Sequence, residues 1–242
     1  MLVTGAASGI GQGIAVRLLE EGASLVAADV VADGLATVAE LGATPVTVDI
    51  ADEASVSAAY AEALGALGGL DVLVNAAGIL VPARTHEMTL ADWNRVISIN
   101  LTGTFLMVRD GLPALLESPH GGVIVNFSST SAFQSSPYLA AYSASKGGVN
   151  ALTHAVALEY VKQGLRAVNI VPGGITSGIT TKSIMNMPEG ADGKLFLKLA
   201  PWLGNGKLGT PADIAGVVAM VASDEGKYIT GTELRVDGGQ LM

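Results

Sequence analysis

Tyr142 and Lys146 stand four residues apart in the run Tyr142-Ser143-Ala144-Ser145-Lys146. The residues that follow, Gly147 through Glu159, are mostly small or apolar, and their next strong stop is Gly164. That pattern reads as a helix. Positions i and i+4 share a helix face, so an ammonium is expected beside a phenol. A phenol titrates near ~10 in water, and a nearby positive charge lowers that value. A tyrosine so placed can give or take a proton near neutral pH. The alternative is a solvated lysine and a half-buried tyrosine on an ordinary helix. The pair alone does not separate the two readings; the rest of the chain must.

A second constellation lies near the start. Leu2-Val3 is β-like and runs into Thr4-Gly5-Ala6-Ala7-Ser8-Gly9-Ile10-Gly11. Ile14 to Leu19 has helical spacing and stops at Gly22, and Ser24 to Ala28 is an apolar strand ending in Asp29. Strand, glycine turn, helix, strand, acid is the first half of a dinucleotide-binding unit. Glycines let the backbone approach a pyrophosphate, and a helix N-terminus favours its charge. Asp29 lies 20 residues beyond Gly9, where a carboxylate binds the adenosine ribose hydroxyls. No lysine or arginine follows it before Gly34. A carboxylate there repels a 2′-phosphate, so NAD(H) is expected over NADP(H). The spacing is G-x-x-x-G-x-G, not G-x-G-x-x-G, and a glycine turn without a ligand remains the bland alternative.

These groups need a scaffold. Helical patterns at Val31–Leu41, Ala51–Leu67 and about Leu90–Glu117 alternate with strands at Thr44–Val48, Leu70–Val74 and Val123–Phe127. The Tyr142 helix follows, then strand Ala167–Val171, a last helix opened by Thr210-Pro211, and strand Leu234–Val236. Thr89 and Asp92 read as a capping pair, Thr210 as a cap before a first-turn proline, and Pro113 as a place to bend or end its helix. Such alternation gives a parallel sheet with helices on both faces. The expected fold is therefore α/β, a Rossmann-type doubly wound parallel sheet of seven strands in a single domain, residues 1–242. Polar clusters after Val3, Ala28, Val48, Val74, Phe127 and Val171 fall at matching strand ends, where such sheets bind ligands.

Composition agrees. Half of the 242 residues are hydrophobic and 14% are charged, which suits an extensive core. The net charge of −9 argues against nucleic-acid or anionic-membrane partners. With no cysteine there are no disulfides or thiolate metal sites. No signal peptide and no run of 18 apolar residues is visible, so a cytoplasmic location is the default.

Taken in order, Thr4-Gly5-xxx-Gly9-x-Gly11, Asp49, Asn75-Ala76-Ala77-Gly78, Asn100, Ser129, Tyr142-xxx-Lys146, Pro172-Gly173 and the tail Tyr228–Gly239 resemble the short-chain dehydrogenases/reductases over nearly the whole chain. Ser129 precedes Tyr142 by 13 residues, as the family pattern requires. The resemblance implies an NAD-dependent oxidoreductase interconverting a secondary alcohol and a ketone. Tyr142 is implied as general acid/base, with Lys146 lowering its pKa and binding the nicotinamide ribose. Ser129 would hydrogen-bond the substrate oxygen, and Asn100 would hold a water in a proton relay with Lys146. Gly5, Ser8, Gly9, Ile10 and Gly11 would line the pyrophosphate turn. Asp49 and Ile50 would meet the adenine, and Asn75, Ala76, Ala77 and Gly78 would lie beside the cofactor. Ile175 and Ser177, just past Pro172-Gly173, would meet the carboxamide, with Tyr142 and Lys146 also counted among the cofactor contacts. No metal enters this scheme.

Some features depart from the family. Only Met1-Leu2-Val3 precede Thr4. The first strand is expected to be central, so so short a strand suggests a truncated or misassigned start. Asn75-Ala76 replaces the commoner Asn-Asn, Ser177 stands for threonine, and Ala132 for a frequent glycine. Relatives that only bind NAD usually lose the tyrosine or lysine, and nucleotide-sugar epimerases usually carry a larger C-terminal portion. This chain keeps Ser129, Tyr142, Lys146 and Asn100 and ends soon after its last strand, which counts against both; a non-catalytic NAD-binding regulatory or structural subunit on the same fold stays as the alternative function. A homo-oligomer, dimer or tetramer, is implied by resemblance, and the small residues Ala140, Ala144, Gly147 and Gly148 would allow close packing.

His86, His120 and His154 have no partners at metal spacing and read as structural or solvated. Ser128, Ser131, Ser135 and Ser136 lack the spacing of Ser129. Asp33, Asp52 and Glu53 read as helix-start acids. The stretch about 178–207 is expected to be a substrate lid. It holds Ile179, Ile184, Met185, Met187, Leu195, Phe196, Leu197, Leu199, Trp202 and Leu203, split by the turn Gly190-Ala191-Asp192-Gly193. Its charges are Lys182, Glu189, Asp192, Lys194, Lys198 and Lys207, with no arginine to clamp an anion bidentately. The alternative is packing onto the domain or a neighbouring subunit. A lid of this composition points to uncharged hydrophobic alcohols or ketones, cyclic or steroid-like ones included.

Overall fold

The structure, a computed structural model, describes residues 1–179, 186–197, 201–204 and 206–242. Lys182, Ile184, Met185, Lys198 and Leu199 of the expected lid lie outside the described residues. The seven strands are β1 (Leu2–Thr4), β2 (Val26–Asp29), β3 (Thr44–Thr47), β4 (Val72–Asn75), β5 (Val123–Phe127), β6 (Arg166–Pro172) and β7 (Thr232–Val236). They form one parallel sheet in the order β3-β2-β1-β4-β5-β6-β7. The order reverses between β1 and β4, and a crevice opens at their carboxyl ends. β1 is central as expected. Its three residues are each paired with both β2 and β4, and Leu2, Val3 and Thr4 are buried.

The pleat sorts the core into two layers. Val3, Ala27, Val74, Val125, Val168 and Ile170 pack under α1 (Gly9–Glu20) and the last described helix, Pro211–Ala222. Leu2, Val26, Leu73, Ile124 and Ala167 pack under α3 (Glu53–Leu67), α5 (Thr104–Leu116) and α6 (Ala140–Tyr160). Near-continuous apolar strands are what a sheet covered on both faces requires.

One row breaks this rule. Asn75, Asn126, Asn169 and Glu233 stand opposite one another on β4, β5, β6 and β7. Asn75 Nδ2 donates to Asn126 Oδ1 at 2.9 Å, and Asn126 Nδ2 donates to the Thr153 hydroxyl of α6 at 2.9 Å. That hydroxyl lies 2.9 Å from Asn169 Oδ1, whose Nδ2 donates to Asn150 O at 3.4 Å. Asn150 Nδ2 then donates to Glu233 Oε1 at 3.0 Å, and His154 closes the row with Nε2 at 2.8 Å from the same oxygen. Each of these amides finds at least one partner, although Asn75 Oδ1 and Asn150 Oδ1 are buried with none among the described residues.

The expected helix Val31–Leu41 is instead a 3₁₀ turn, Ala32–Leu35, followed by the short α2, Ala36–Glu40. The expected long helix Leu90–Glu117 is divided: α4 (Leu90–Ile97) passes through a π segment, Ser98–Gly103, into α5. Gly103 abuts β3's exit, where an added Cβ would fall 2.8 Å from Ile50 Cγ1. Pro113 sits inside α5 without ending it. The caps are as read: Thr89 accepts from Asp92 N, Asp52 from Ala54 N and Ser55 N, and Thr210 with Asp213 forms a capping box. Among the described residues no helix is long and apolar enough to cross a membrane.

Candidate active site

The crevice is walled by the first residues of α1, the exits of β4, β5 and β6, and the start of α6. Thr4 closes its floor by accepting Ala77 N–H at 3.3 Å. The glycine turn is held by sterics. Gly5 has φ +71°, and a Cβ there would lie 2.7 Å from Ala77 N; one on Gly11 would lie 2.2 Å from Gly5 O. Side chains at either position would push apart the turn and the β4 exit. Ser8 is the N-cap of α1 with its hydroxyl uninvolved in capping, and Ile10 lines the crevice. Asp29 ends β2 and accepts Ala7 N–H on Oδ2 and Val31 N–H on Oδ1, both at 3.0 Å. Its carboxylate is thereby fixed at the edge of the glycine turn.

Tyr142, Lys146, Ser129, Ala76, Gly78, Pro172, Gly173, Ile175 and Ser177 all line the same crevice. Ser129 is buried, accepts Ser131 N–H at 3.1 Å, and stands beside the Tyr142 phenol in the crevice lining. Lys146 is buried; its ammonium donates to Phe127 O at 2.8 Å and lies 5.8 Å from the centroid of the Tyr142 ring. Burial brings the Lys146 pKa down to about 8. Burial also raises the Tyr142 phenol above its ordinary value, and the neighbouring Ser129 hydroxyl only partly opposes this. The expectation that Lys146 lowers the tyrosine is therefore not met in the ligand-free protein. The ammonium is turned to a carbonyl rather than to the phenol, and desolvation outweighs it.

Asn100 is fully buried in the π segment. Its Oδ1 accepts Ile79 N–H at 2.8 Å, and its Nδ2 donates to Ile79 O at 2.9 Å and Ser145 Oγ at 3.1 Å. The nitrogen is saturated, whereas the oxygen keeps a second lone pair. An added Cβ on Gly78 would lie 3.3 Å from that oxygen and 3.6 Å from Lys146 Nζ, so the two groups flank one point in the crevice.

Asn75, Ile50 and Asp49 are not among the residues that line this crevice. The Asn75 side chain belongs to the amide row under α6, so only the backbone of its segment approaches the crevice. Ile50 is buried in the core against Gly103. Asp49 is exposed, and its Oδ1 accepts Ala51 N–H at 2.9 Å at the entry to α3. Conversely, Phe127, Ser128 and Ile179 line the crevice without having been assigned to it. Ser128 donates to Lys146 O at 3.1 Å, and Ser145 to Tyr142 O at 2.7 Å, so both fix α6 rather than react. The small residue just before Lys146 was the available signal for Ser145. Among the described residues no cluster of three or more His, Asp or Glu could hold a metal ion.

Comparison with known proteins agrees with this geometry. A family model described as Enoyl-(Acyl carrier protein) reductase matches residues 5–240. The 2,5-dichloro-2,5-cyclohexadiene-1,4-diol dehydrogenase LinX of Sphingobium indicum is 39% identical, over 98% of this chain and 94% of its own. The 3beta-hydroxysteroid dehydrogenase 1 of Eggerthella lenta is 34% identical, over 100% of this chain and 93% of its own. The solved 3-ketoacyl-(acyl-carrier-protein) reductase from Brucella melitensis, complexed with NADH, has a TM-score of 0.90 at 34% identity, covering 100% of this chain and 97% of that one. With the ordered motifs, the parallel sheet and the shared crevice, these matches establish that the chain belongs to the short-chain dehydrogenase/reductase family.

Proposed function

We propose that the protein is an NAD-dependent alcohol dehydrogenase/carbonyl reductase acting on an apolar, cyclic secondary alcohol or the matching ketone. The observation that carries this reading is the convergence of Ser129, Tyr142 and Lys146 in one crevice. The residues present fit NAD. A glycine turn too tight for side chains leads into the N-terminus of α1, which suits a pyrophosphate, and Asp29 suits free ribose hydroxyls. When bound, NAD supplies the two-electron acceptor for the carbinol carbon.

The chain handles the proton. Ser129 and Tyr142 aim hydroxyls at one substrate oxygen, where charge develops during the reaction. In oxidation Tyr142 takes the hydroxyl proton; in reduction it returns one to the carbonyl oxygen. Lys146 would hold the nicotinamide ribose, and its ammonium, 5.8 Å from the Tyr142 ring centroid, would favour the phenolate once turned from Phe127 O. A water between Lys146 Nζ and Asn100 Oδ1 passes the proton outward, consistent with the point both groups flank beside Gly78.

Two observations support the substrate class. The crevice's apolar lining includes Ile10, Phe127, Ile175 and Ile179, and the segment beyond it carries a half-buried Met187 and an exposed Leu195. The two curated relatives are named for ring alcohols, a cyclohexadienediol and a hydroxysteroid. The same reading carries a cytoplasmic location and a homo-oligomer. Exposed Leu90, Trp93 and Phe105 on α4 and α5 suit an interface, whereas Gly148 is occupied within the chain, where a Cβ would lie 2.7 Å from Leu101. Reduced-nicotinamide absorbance with a panel of cyclic alcohols, sugars, hydroxy acids and acyl-carrier substrates tests the reading. Tyr142→Phe should abolish turnover while NADH still binds. A higher kcat/KM for any sugar or anionic substrate than for every apolar alcohol would overturn the substrate class, and near-normal rates in Tyr142→Phe would overturn the mechanism.

A further inference from the structure

The segment after β6 is fastened at its turn to the loop after β4 and the stretch just before α6 by two residues that no step above uses. Arg84, in the loop after β4, donates from Nη2 to Glu189 O at 2.9 Å. The Asp192 backbone N–H donates to the Tyr138 phenol oxygen at 2.9 Å. The two anchors are also joined to each other. The Arg84 guanidinium lies 5.9 Å from the centroid of the Tyr138 ring, and Ala83 N–H donates to Tyr138 O at 2.9 Å.

Both bonds act on one compact turn. Ala191 N–H donates to Pro188 O at 3.0 Å, and Gly190 has φ +67°. Asp192 Oδ1 accepts Lys194 N–H at 2.9 Å, which starts the helical turn Lys194–Leu197. Fixing the backbone at Glu189 and Asp192 therefore fixes where this stretch sits. Tyr138 has φ +65°, alone among the described non-glycine residues, and stands four residues ahead of Tyr142. A bulky side chain holds that conformation only where its surroundings enforce it, and such strain gathers at clamps and switch regions. Tyr138 is half-buried and Arg84 only partly exposed, so water can replace both bonds when the turn lifts. Bonds of that kind suit a fastening that must open each turnover.

We infer that Arg84 and Tyr138 form a two-point latch on the 188–193 turn, and that the latch sets how long this segment stays over bound alcohol or ketone. The inference rests on the reading of residues 178–207 as a substrate lid. Arg84 and Tyr138 are positioning residues, and the reacting groups remain Ser129, Tyr142 and Lys146.

The test uses Tyr138→Phe, which keeps the ring but removes the acceptor for Asp192 N–H, and Arg84→Gln, with Arg84→Lys as the conservative rescue. Amide hydrogen exchange over residues 186–197 reads the latch directly, with and without NADH. Each disruptive variant should speed exchange there and raise KM for the best alcohol by about fivefold, the tenfold-per-1.4 kcal/mol equivalent of one net hydrogen bond. NADH affinity should stay within about twofold and kcat should not fall, because the chemistry is untouched. The double variant should exceed the larger single effect only slightly, since both bonds hold one turn. Arg84→Lys should regain most of the wild-type KM.

Unchanged exchange in both disruptive variants overturns the latch, as does a joint loss of kcat and NADH affinity. If the wild type oxidises no alcohol in the panel, the functional reading fails, and the exchange measurement still decides whether the latch exists.

Discussion

Lys146 offers the sharpest physical test, because a buried ammonium leaves a signature in stability as well as in rate. Its side chain is buried and its pKa is brought down to about 8 by desolvation. The unfolded chain holds that proton with the ordinary affinity of about 10.4. At about 1.4 kcal/mol for each tenfold change in proton affinity, the charged lysine costs about 3 kcal/mol of folding free energy near pH 7. The sign follows from which state binds the proton more tightly. The unfolded state does, so stability rises with pH from about 8 to about 10.4, and below about 8 the penalty is complete. Lys146→Met removes the charge and keeps most of the volume. It also strips Phe127 O of its donor, a cost of about 1–3 kcal/mol that does not vary with pH. The informative quantity is therefore the difference between wild type and variant as a function of pH. Urea unfolding of the ligand-free proteins from about pH 7 to about 9.5 should show the wild type gaining about 2 kcal/mol on the variant. Tyr60 and Tyr142, both held above the ordinary phenol value by burial, remain neutral through that window. A flat difference, or one that moves the other way, would refute the buried-cation argument.

Other outcomes follow from the same geometry. The raised Tyr142 phenol makes the base scarce at neutral pH, so kcat/KM for alcohol oxidation should climb as pH rises from neutral toward the phenol's range; a profile that falls over that interval would remove Tyr142 as the base. Asp29→Asn drops the charge and keeps an acceptor for only one of the Ala7 and Val31 N–H groups, and with Val30→Arg it should raise kcat/KM for NADP by about tenfold or more, one bidentate phosphate contact. Unchanged preference would mean that Asp29 does not face the ribose. Asn126→Ala leaves the Asn75 amide without its acceptor and the Thr153 hydroxyl without its donor, and should cost about 2–4 kcal/mol in urea unfolding. A loss under about 0.5 kcal/mol would show that water replaces the amide at no cost.

Much of this was legible from the chain. Short apolar runs ending in polar clusters located all seven strands, because a sheet covered on both faces needs little else. The Tyr142 and Lys146 spacing placed both groups in one crevice because the helix fixes it. What escaped depends on distant partners. The π segment arises where Gly103 meets Ile50 and Asn100 clamps Ile79, contacts that no local period announces. The side chain of Asn75 could have been assigned correctly: it lies two residues from Leu73 and therefore shares the face of Leu73, under α6. The direction of the Tyr142 pKa was not legible, since it turns on how burial compares with a lysine whose donor points to Phe127. Arg84 and Tyr138 gave no signal either, being 105 and 54 residues from the backbone groups they hold.

The amide row has a further consequence for how the sheet is assembled. Parallel strands brought together by crossovers have many apolar alignments of similar quality, and β4, β5 and β6 are almost uniformly Val, Ile, Leu and Ala. Sliding one of these strands by a single residue would turn its asparagine to the α1 side, among Val74, Val125 and Val168, with no partner for either end of the amide. Sliding by two would keep the face but break the donor chain at two places for β5 or β6 and at one for β4. The asparagines therefore act as a proofreading mark during folding, penalising every wrong alignment while adding little to the correct one. It also follows that these positions do not drift one at a time: an exchange at Asn126 is tolerated only together with a matching change at Asn75 or Thr153, so homologous sequences should vary there as linked sets.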